Sequence, residues 1–340
     1  MKIVVVTQEI DPQSPVLGAT VAKVRALAER CDEVVVLADR AVEGVLPPNC
    51  RVHLFASRSR VLRGLRFAGA LARELARRPR PDAVLAHMCP IYAVLAAPLA
   101  RPLGIRVLLW FTHWKASRLL RLAERLSNTV LTVDPRSFPL PTGKLRAIGH
   151  GIDLAGFSPP AEPRASGDPL ILALLGRTSP AKGIATVVRA VALCPGVRLR
   201  IHGPSLTEEE RRHRGELVAL VTELGLGDRV TLGEPVPRTE VNALLGSVDA
   251  LINNMRPGAP DKIVFEAAGT ALPVLASNPA LDTLLSGELR FDRDSPESLA
   301  ERIRWLATAD RAAVGGELRE RVTALHSVEG WAAAVIEAAR

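Results

Sequence analysis

Two basic residues, Arg177 and Lys182, follow the apolar run 170–175 within the sequence LGRTSPAKG at residues 175–183. The run predicts a β-strand and a helical pattern follows it, so both side chains are predicted to lie on a strand-to-helix loop. Two cations at such a place could neutralise an anionic group such as a phosphate. On spacing alone, a solvent-exposed pair of loop side chains is the simpler interpretation.

Glu266 is a second candidate because it lies inside an apolar helical pattern at residues 263–268. A carboxylate in apolar surroundings is costly unless it is paired or bound to a ligand. The predicted helix begins near Asp261, Lys262 and Ile263, where backbone N–H groups could face an anion. The alternative is a glutamate on the solvent-facing side of the helix.

The elements that must position these residues alternate between apolar strands and amphipathic helices. Such alternation predicts parallel sheets that are covered by helices on both faces. In the first half, strands are predicted at 2–7, 34–37, 51–55, 82–86, 105–111, 129–133 and 145–148, and helices at 19–29, 60–78, 91–101 and 116–127. In the second half, strands are predicted at 170–175, 197–202, 229–232, 249–252 and 273–276, and helices at 181–193, 206–224, 238–246, 261–271 and 295–307.

The length of 340 residues predicts two domains of similar size. A segment rich in Pro, Gly and Ser at 157–169 is typical of an interdomain linker. We therefore expect an α/β fold with two Rossmann-like, doubly wound domains, one at 1–155 and the other at 156–325. Two such domains facing each other would leave a central cleft between the carboxyl ends of their strands, where ligands bind.

Composition narrows the class of protein. Hydrophobic residues make up 48% and charged residues 24% of the chain, which argues against disorder. The four cysteines form no C-x-x-C pair, which excludes a zinc ribbon or a redox dithiol and fits a reducing compartment. The first apolar run is too short for a signal peptide, and no later run reaches the ~18 residues of a membrane span. We expect a cytoplasmic protein.

Charge is unevenly distributed along the chain. The first 150 residues contain 23 Lys and Arg against 11 Asp and Glu, whereas the remainder contains 21 against 25. The first half is therefore predicted to favour anionic partners, although an arginine-rich genome composition would produce the same excess. Aromatic residues are only 4% of the chain, so we expect no nucleic-acid partner that relies on stacking.

The segment 58–80 predicts a basic amphipathic helix with a single acid, Glu74. Most of its apolar residues fall at helical spacing, so that one face of the helix can pack on the sheet of the first domain while the arginines face outward. Such a face either contacts an anionic membrane peripherally, at its inner face, or is an inert solvated surface. The apolar residues are Val61, Leu62, Leu65, Phe67, Leu71 and Leu75, and the arginines are Arg58, Arg60, Arg63, Arg66, Arg73, Arg77, Arg78 and Arg80.

Four motif segments occur in a specific order. They are IGHGID at 148–153 with Phe157 and Pro159, LGRTSPAKG at 175–183, VPR at 236–238 with VDAL at 248–251, and FEAA at 265–268 with PVLAS at 273–277. Together they resemble the retaining glycosyltransferases of the GT-B fold, family 4. The resemblance covers nearly the whole chain, is strongest after residue 145, and extends to the family's closing segment at Ser327–Trp331.

The resemblance implies retaining transfer of a sugar from a nucleotide-diphosphate sugar, of UDP or GDP type, to an acceptor hydroxyl. It implies that Arg177 and Lys182 neutralise the leaving diphosphate, and that Glu266 accepts hydrogen bonds from the donor ribose. It places His113 near the reacting sugar, and it implies metal-independent catalysis with neither a cofactor nor a metal site. The wider donor-binding set comprises Gly18, Gly203, Val236, Gly258, Asp261, Lys262, Ile263 and Glu266.

The same resemblance assigns the nucleotide sugar to the second domain and the acceptor to the first. The acceptor is expected to be a small molecule, a glycan or a lipid-linked hydroxyl, and a C-terminal helix at about 326–340 is expected to cross back to the first domain. Gly18 could equally belong to a plain loop, and His113 could be a structural histidine. His87 is a lesser acceptor-site candidate, and His150 is a candidate for shaping the hinge.

The sequence departs from the family pattern at two positions. Gly258 stands where the first of two glutamates is usual, so a carboxylate that normally contacts donor-sugar hydroxyls is missing. Asp261 is the nearest acid that could replace it, and Lys262 could contact phosphate. Ala271 replaces a usual glycine. The missing carboxylate keeps open a non-catalytic nucleotide-sugar-binding protein, and a sugar-nucleotide epimerase of similar architecture is a further alternative.

Overall fold

The computed structural model of the chain describes residues 1–14, 17–160 and 169–340. These residues form two compact units. The first unit is Met1–Asp153 together with Leu325–Arg340, and the second is Leu154–Ala324. The larger part of the predicted linker, 161–168, lies outside the described residues, as does Pro15 of the loop before the first helix.

The first unit is built on a seven-stranded sheet in which all neighbouring strands are parallel. The strands are β1 Lys2–Ile10, β2 Glu33–Ala41, β3 Cys50–Leu54, β4 Ala83–His87, β5 Arg106–Trp110, β6 Thr129–Thr132 and β7 Leu145–Ala147, in the order β3-β2-β1-β4-β5-β6-β7. The helices between them are α1 Ala19–Ala28, α2 Arg60–Ala76, α3 Pro90–Ala100 and α4 Arg118–Leu126.

The second unit has a five-stranded parallel sheet in the order β10-β9-β8-β11-β12. Its strands are β8 Leu170–Leu175, β9 Val197–His202, β10 Val230–Gly233, β11 Ala250–Asn253 and β12 Val274–Ala276. The helices are α5 Ile184–Ala192, α6 Glu208–Glu223, α7 Val241–Gly246, α8 Lys262–Gly269, α9 Pro296–Thr308 and α10 Arg311–His326, and α11 Val328–Ala339 follows. The predicted α/β class with two parallel, helix-covered sheets is thereby confirmed.

Strand alternation divides the core of the first unit between the two faces of its sheet. Val4, Val6 and Ala86 point to one face, where they pack with buried residues of α2 and α3 such as Phe67 and Tyr92. Trp110 points to the other face and contacts Trp331 of α11 edge to face, at 5.6 Å between ring centroids. Both faces are therefore buried, which explains why these strands read as continuous apolar runs.

Residues 149–152, which contact the start of α11, contain a turn that requires glycine. Gly149 has φ +75°, and a Cβ atom there would collide with the carbonyl oxygen of Leu325. Ile152 N donates to the His326 carbonyl at 2.8 Å, and Val328 N donates to the Ile152 carbonyl at 2.9 Å. These bonds fix the start of α11 beside residues 149–152, and α11 then packs against α1.

Helix α2 departs from the expected packing in its first two turns. Phe67, Leu71 and Leu75 are buried as predicted, but Val61 is 74% and Leu65 is 65% exposed, and Leu62 is also exposed. The predicted packing of one helix face on the sheet therefore begins at Phe67, and the three apolar residues before it lie outside that face. Within the described residues, no helix is both long enough and apolar enough to cross a bilayer.

Candidate functional site

The loop between β8 and α5 holds Lys182 in a buried position. A 3-10 turn at Pro180–Lys182 is capped by Ser179 and ends at Gly183, whose φ of +54° favours glycine. The Lys182 side chain runs back along the loop to Gly176, where a Cβ atom would collide with Nζ. Gly176, with φ +120°, therefore leaves the space that the lysine occupies.

Two of the site residues predicted from the sequence, Lys182 and Asp261, are in direct contact. Lys182 is 8% exposed, and its Nζ donates to the Leu175 carbonyl at 2.9 Å and to Asp261 Oδ2 at 2.5 Å. Asn253, at the end of β11, donates its Nδ2 to the same Asp261 oxygen at 3.0 Å. The contact joins the β8–α5 loop to the start of α8, where Asp261 is the N-cap residue.

Arg177, by contrast, is exposed and is held from one side by a buried acid. Its guanidinium NH2 lies 2.7 Å from Glu210 Oε1, while 49% of its side chain stays accessible. Glu210 is the third residue of α6, and its Oε2 accepts hydrogen bonds from Leu206 N at 2.7 Å and Thr207 N at 3.2 Å. Glu210 thus holds one side of the Arg177 guanidinium, and the exposed side of the guanidinium is available to an anion.

The pKa of Glu210 reflects these partners. Burial raises it, but the N–H groups of Leu206 and Thr207 and the Arg177 guanidinium outweigh burial, so the pKa lies below its ordinary value. The Thr-x-x-Glu capping box at 207–210 could be read from the sequence as a helix start. Nothing in its spacing points to Arg177, and Glu210 was therefore missed as a site residue.

Glu266 lies on α8 and is 1% exposed. Two basic side chains of the same unit contact its carboxylate. Its Oε1 lies 2.7 Å from Arg238 NH2 and 3.5 Å from Lys262 Nζ. Arg238 also lies over the ring of Phe157, at 4.7 Å from the centroid. Burial and the neighbouring Arg238 lower the pKa of Lys262, and Glu266 opposes that shift. Arg238 belongs to the VPR motif but was not predicted as a site residue.

The remaining predicted donor-site residues have mainly backbone roles in the structure. Gly258 has φ +118°, a conformation that favours glycine over the glutamate usual at this position. Gly203 follows β9, and a Cβ atom there would collide with the Gly176 carbonyl. Val236 is partly buried ahead of the 3-10 turn Arg238–Glu240, and Ile263 is partly buried in the first turn of α8.

In the first unit, Gly18 and His113 lie on strand-to-helix connections. Gly18 precedes α1, and a Cβ atom there would collide with the carbonyl oxygens of Pro12 and Ser14. His113 follows β5 and is partly exposed, and its Nδ1 accepts a hydrogen bond from Lys115 N at 3.0 Å. Burial lowers the pKa of His113 and Lys115 lowers it further, so the ring is neutral at pH 7.

The two other histidines singled out in the sequence lie inside the first unit. His87, at the end of β4, is buried, and its ring is parallel to that of Trp110 at 6.4 Å between centroids. Burial, assisted by Lys23, holds the pKa of His87 well below its ordinary value. His150 N donates to His326 Nδ1 at 3.2 Å. Across the described ranges no group of three or more His, Cys, Asp or Glu is arranged to hold a metal ion.

Comparison with solved structures places this architecture among known folds. A sucrose-phosphate synthase from Thermosynechococcus elongatus superposes with a TM-score of 0.76 at 21% identity, covering 99% of this chain and 97% of that one. Anabaena HepE in complex with UDP and glucose gives a TM-score of 0.78 at 16% identity, covering 99% and 98%. The chain has a GT-B fold. At these identities the GT-B likeness concerns the fold alone.

Sequence comparison relates the second half of the chain to glycosyltransferases. Residues 177–337 match the family model described as glycosyl transferase-like. The D-inositol 3-phosphate glycosyltransferase of Mycobacterium ulcerans (strain Agy99) is 28% identical over 206 residues, which cover 54% of this chain and 42% of that protein. The enzyme of that name from Mycolicibacterium smegmatis (strain ATCC 700084 / mc(2)155) is 30% identical over 144 residues, covering 39% and 32%. The chain thus spans less than half the length of the curated relatives it matches.

Proposed function

We propose that the chain is a glycosyltransferase that takes its sugar from a UDP- or GDP-type nucleotide-diphosphate sugar. The observation that carries the proposal is the cluster of four cations in the second unit, which contains Arg177, Lys182, Arg238 and Lys262. Cations held by the fold stabilise the charge that develops on a leaving diphosphate. The family match over 177–337 and the UDP complex of the similarly folded HepE support this choice of ligand.

Three side chains of the second unit have assigned roles in this proposal. Arg177 offers its exposed guanidinium face to the diphosphate, and Lys182 offers the Nζ that Asp261 contacts in the structure. Glu266 accepts hydrogen bonds from the ribose hydroxyls of the donor. As the resemblance to family 4 implies, the nucleotide sugar binds the domain at 156–325 and the acceptor binds the domain at 1–155.

The proposed reaction is retaining, as in GT-B family 4. The acceptor hydroxyl attacks the sugar on the face from which the diphosphate leaves, and the leaving phosphate oxygen takes the hydroxyl proton. This route requires no protein base, no metal ion and no cofactor. Because Nδ1 of the neutral His113 accepts from Lys115 N, its Nε2 carries the proton and can donate a hydrogen bond to a sugar hydroxyl without adding a charge.

The acceptor is proposed as a hydroxyl of a small molecule, a glycan or a lipid-linked compound. The relatives named D-inositol 3-phosphate glycosyltransferase make inositol phosphate the first acceptor to test. A phosphorylated acceptor also agrees with the basic charge of the first 150 residues, which contain 23 Lys and Arg against 11 Asp and Glu.

We also propose a cytoplasmic protein that contacts the inner face of the membrane through α2. The exposed side chains of Val61, Leu62 and Leu65 lie in its first two turns, beside Arg58 and Arg66. Apolar side chains flanked by arginines suit the boundary between anionic headgroups and acyl chains.

The test is a screen of nucleotide sugars by thermal shift, followed by a transfer assay with the donors that stabilise the protein. Stabilisation grows with ligand concentration over Kd, so weak donors are detected at millimolar concentration. Transfer to an acceptor is expected. Binding of a donor without transfer to any acceptor would favour the non-catalytic alternative, and nucleotide release in the absence of acceptor would favour an epimerase.

A further inference from the structure

Every cation of the candidate site is already in an ion pair with a carboxylate of the chain. Arg177 pairs with Glu210, Lys182 with Asp261, and Arg238 and Lys262 share Glu266. The site therefore holds four cations against three carboxylates. A nucleoside diphosphate must compete with these internal acids for its partners.

The Lys182–Asp261 pair is the one that such competition affects most directly. Lys182 cannot turn away, because it is 8% exposed and its Nζ is anchored on the Leu175 carbonyl. Asp261 is more accessible, with 27% of its side chain exposed. When an anion approaches Lys182, the aspartate is the partner that can rotate into solvent.

The orientation of Asp261 supports the same conclusion. An aspartate at an N-cap position ordinarily accepts a hydrogen bond from the first-turn N–H groups of its own helix. The Asp261 side chain makes no such bond and is instead directed to Lys182 and Asn253. The start of α8 is thereby left without a side-chain cap, while a carboxylate lies on the adjacent lysine.

We propose that Asp261 is an internal competitor of the donor diphosphate: its carboxylate takes the place on Lys182 that a phosphate oxygen occupies in the complex. This inference rests on the proposed function and replaces the expectation that Asp261 contacts the donor sugar. In the complex, Asp261 leaves Lys182 or remains as a like charge beside the phosphates. Either way it weakens binding of the donor and of the nucleoside diphosphate product, and so favours product release.

The experiment measures the Kd of UDP and of GDP by calorimetry for the wild-type chain and the Asp261→Asn variant. Asparagine keeps the shape and can keep a contact with Asn253, but it removes the charge that neutralises Lys182. The expected result is an affinity about tenfold or more higher for the variant, because a like charge beside the phosphates is removed. Asp228→Asn, at an exposed turn before β10, is the matched control and is expected to bind as the wild type does.

The outcomes separate this inference from the proposed function. Tighter binding by Asp261→Asn, lost again when Lys182→Ala is added, supports the competition. Equal or weaker binding by a variant with the wild-type Tm overturns it, and Asp261→Ser gives the same decision should Asp261→Asn not fold. Where the wild type binds and the variant is no tighter, the inference alone fails. Where neither binds either diphosphate at millimolar concentration, the proposed function fails with it.

Discussion

At the residue scale, the buried charges of the second unit are stabilised by partners that are distant in sequence. Glu266 reaches back to Arg238, and Lys182 reaches forward to Asp261. A buried carboxylate without such a partner would be costly, so the pairs account for charges in an otherwise apolar environment. The same pairs fix the directions of the side chains that are proposed to meet the donor.

Glu210 is predicted to act as a positioning residue for Arg177. Glu210→Gln keeps the capping box, since glutamine also serves at that position, but it removes the charge that holds the guanidinium. We expect kcat to fall by roughly tenfold with little change in Tm, less than for loss of Arg177 itself. The control is Glu209→Gln, an exposed acid of the same helical turn. Identical kinetics for the two variants would remove Glu210 from this role.

The sequence indicated Arg177, Lys182 and Lys262 as candidate cations, but it indicated neither Arg238 nor the acid that each cation contacts. Arg177, Lys182, Asp261 and Glu266 stand in motifs of local spacing, which a single sequence displays. The pairing of Arg177 with Glu210 depends on how the β8–α5 loop meets α6, and local spacing carries no information about that contact. The contact of Asp261 with Lys182 spans 79 positions, so local spacing carries no information about it either.

At the element scale, apolar runs predicted the strands well because parallel strands buried on both faces have few polar positions. The predicted strand 170–175 coincides with β8. Helix α10 was not predicted, although its buried residues Leu318 and Val322 have the i, i+4 spacing of one helix face. The exposure of the apolar residues in the first turns of α2 could not be predicted, because helical spacing does not reveal what lies opposite a helix face.

Those first turns of α2 lead to a prediction about membranes. The wild-type chain is expected to sediment with vesicles of phosphatidylglycerol and phosphatidylcholine at low salt, and to be released at high salt. Val61→Ser with Leu65→Ser should weaken binding about tenfold or more, because two exposed apolar side chains no longer enter the bilayer. Val218→Ser, an exposed position on α6, is the control.

Two results would contradict membrane contact. One is the absence of sedimentation with anionic vesicles at low salt. The other is equal binding by the Val61→Ser, Leu65→Ser double variant and by Val218→Ser. Either result would leave α2 as a solvated surface and favour a small-molecule or glycan acceptor over a lipid-linked one.

At the scale of the whole molecule, two buried histidines make stability depend on pH. Burial lowers the pKa of His326 to about 4, and burial with Lys23 holds the pKa of His87 well below its usual range. Both rings are neutral in the folded chain, whereas unfolded histidines bind protons below a pH of about 6.5. The free energy of unfolding is therefore expected to fall as the pH drops from about 6.5 toward 4.

Urea unfolding at pH 7.5 and pH 5 measures this loss. His326→Gln removes one of the two titrating groups while keeping an acceptor for His150 N, so the difference between the two pH values should shrink. An unchanged difference in this variant would show that His326 does not contribute. His326 is the last residue of α10 and directly precedes Ser327, the N-cap of α11.

The division of the chain followed from length and from the restart of the strand–helix alternation near residue 170. The C-terminal return was expected only from the family resemblance, because nothing in the periodicity of 328–339 indicates which sheet α11 covers. Trp331 against Trp110 and the glycine turn at 149–151 provide that information in the structure. These contacts join residues that are far apart in the chain, so they cannot be predicted from sequence spacing.

The most direct test of the account is the turnover of Arg177→Ala with the donor and acceptor found by screening. Arg177 is half exposed on a loop, so its replacement should leave the unfolding transition unchanged. The account predicts a kcat about 10²-fold or more below the wild type, the scale of removing one group that stabilises transition-state charge. Arg189→Ala, an exposed arginine on α5, should keep wild-type turnover. Near wild-type turnover by a folded Arg177→Ala variant would contradict the assignment of the diphosphate to this site.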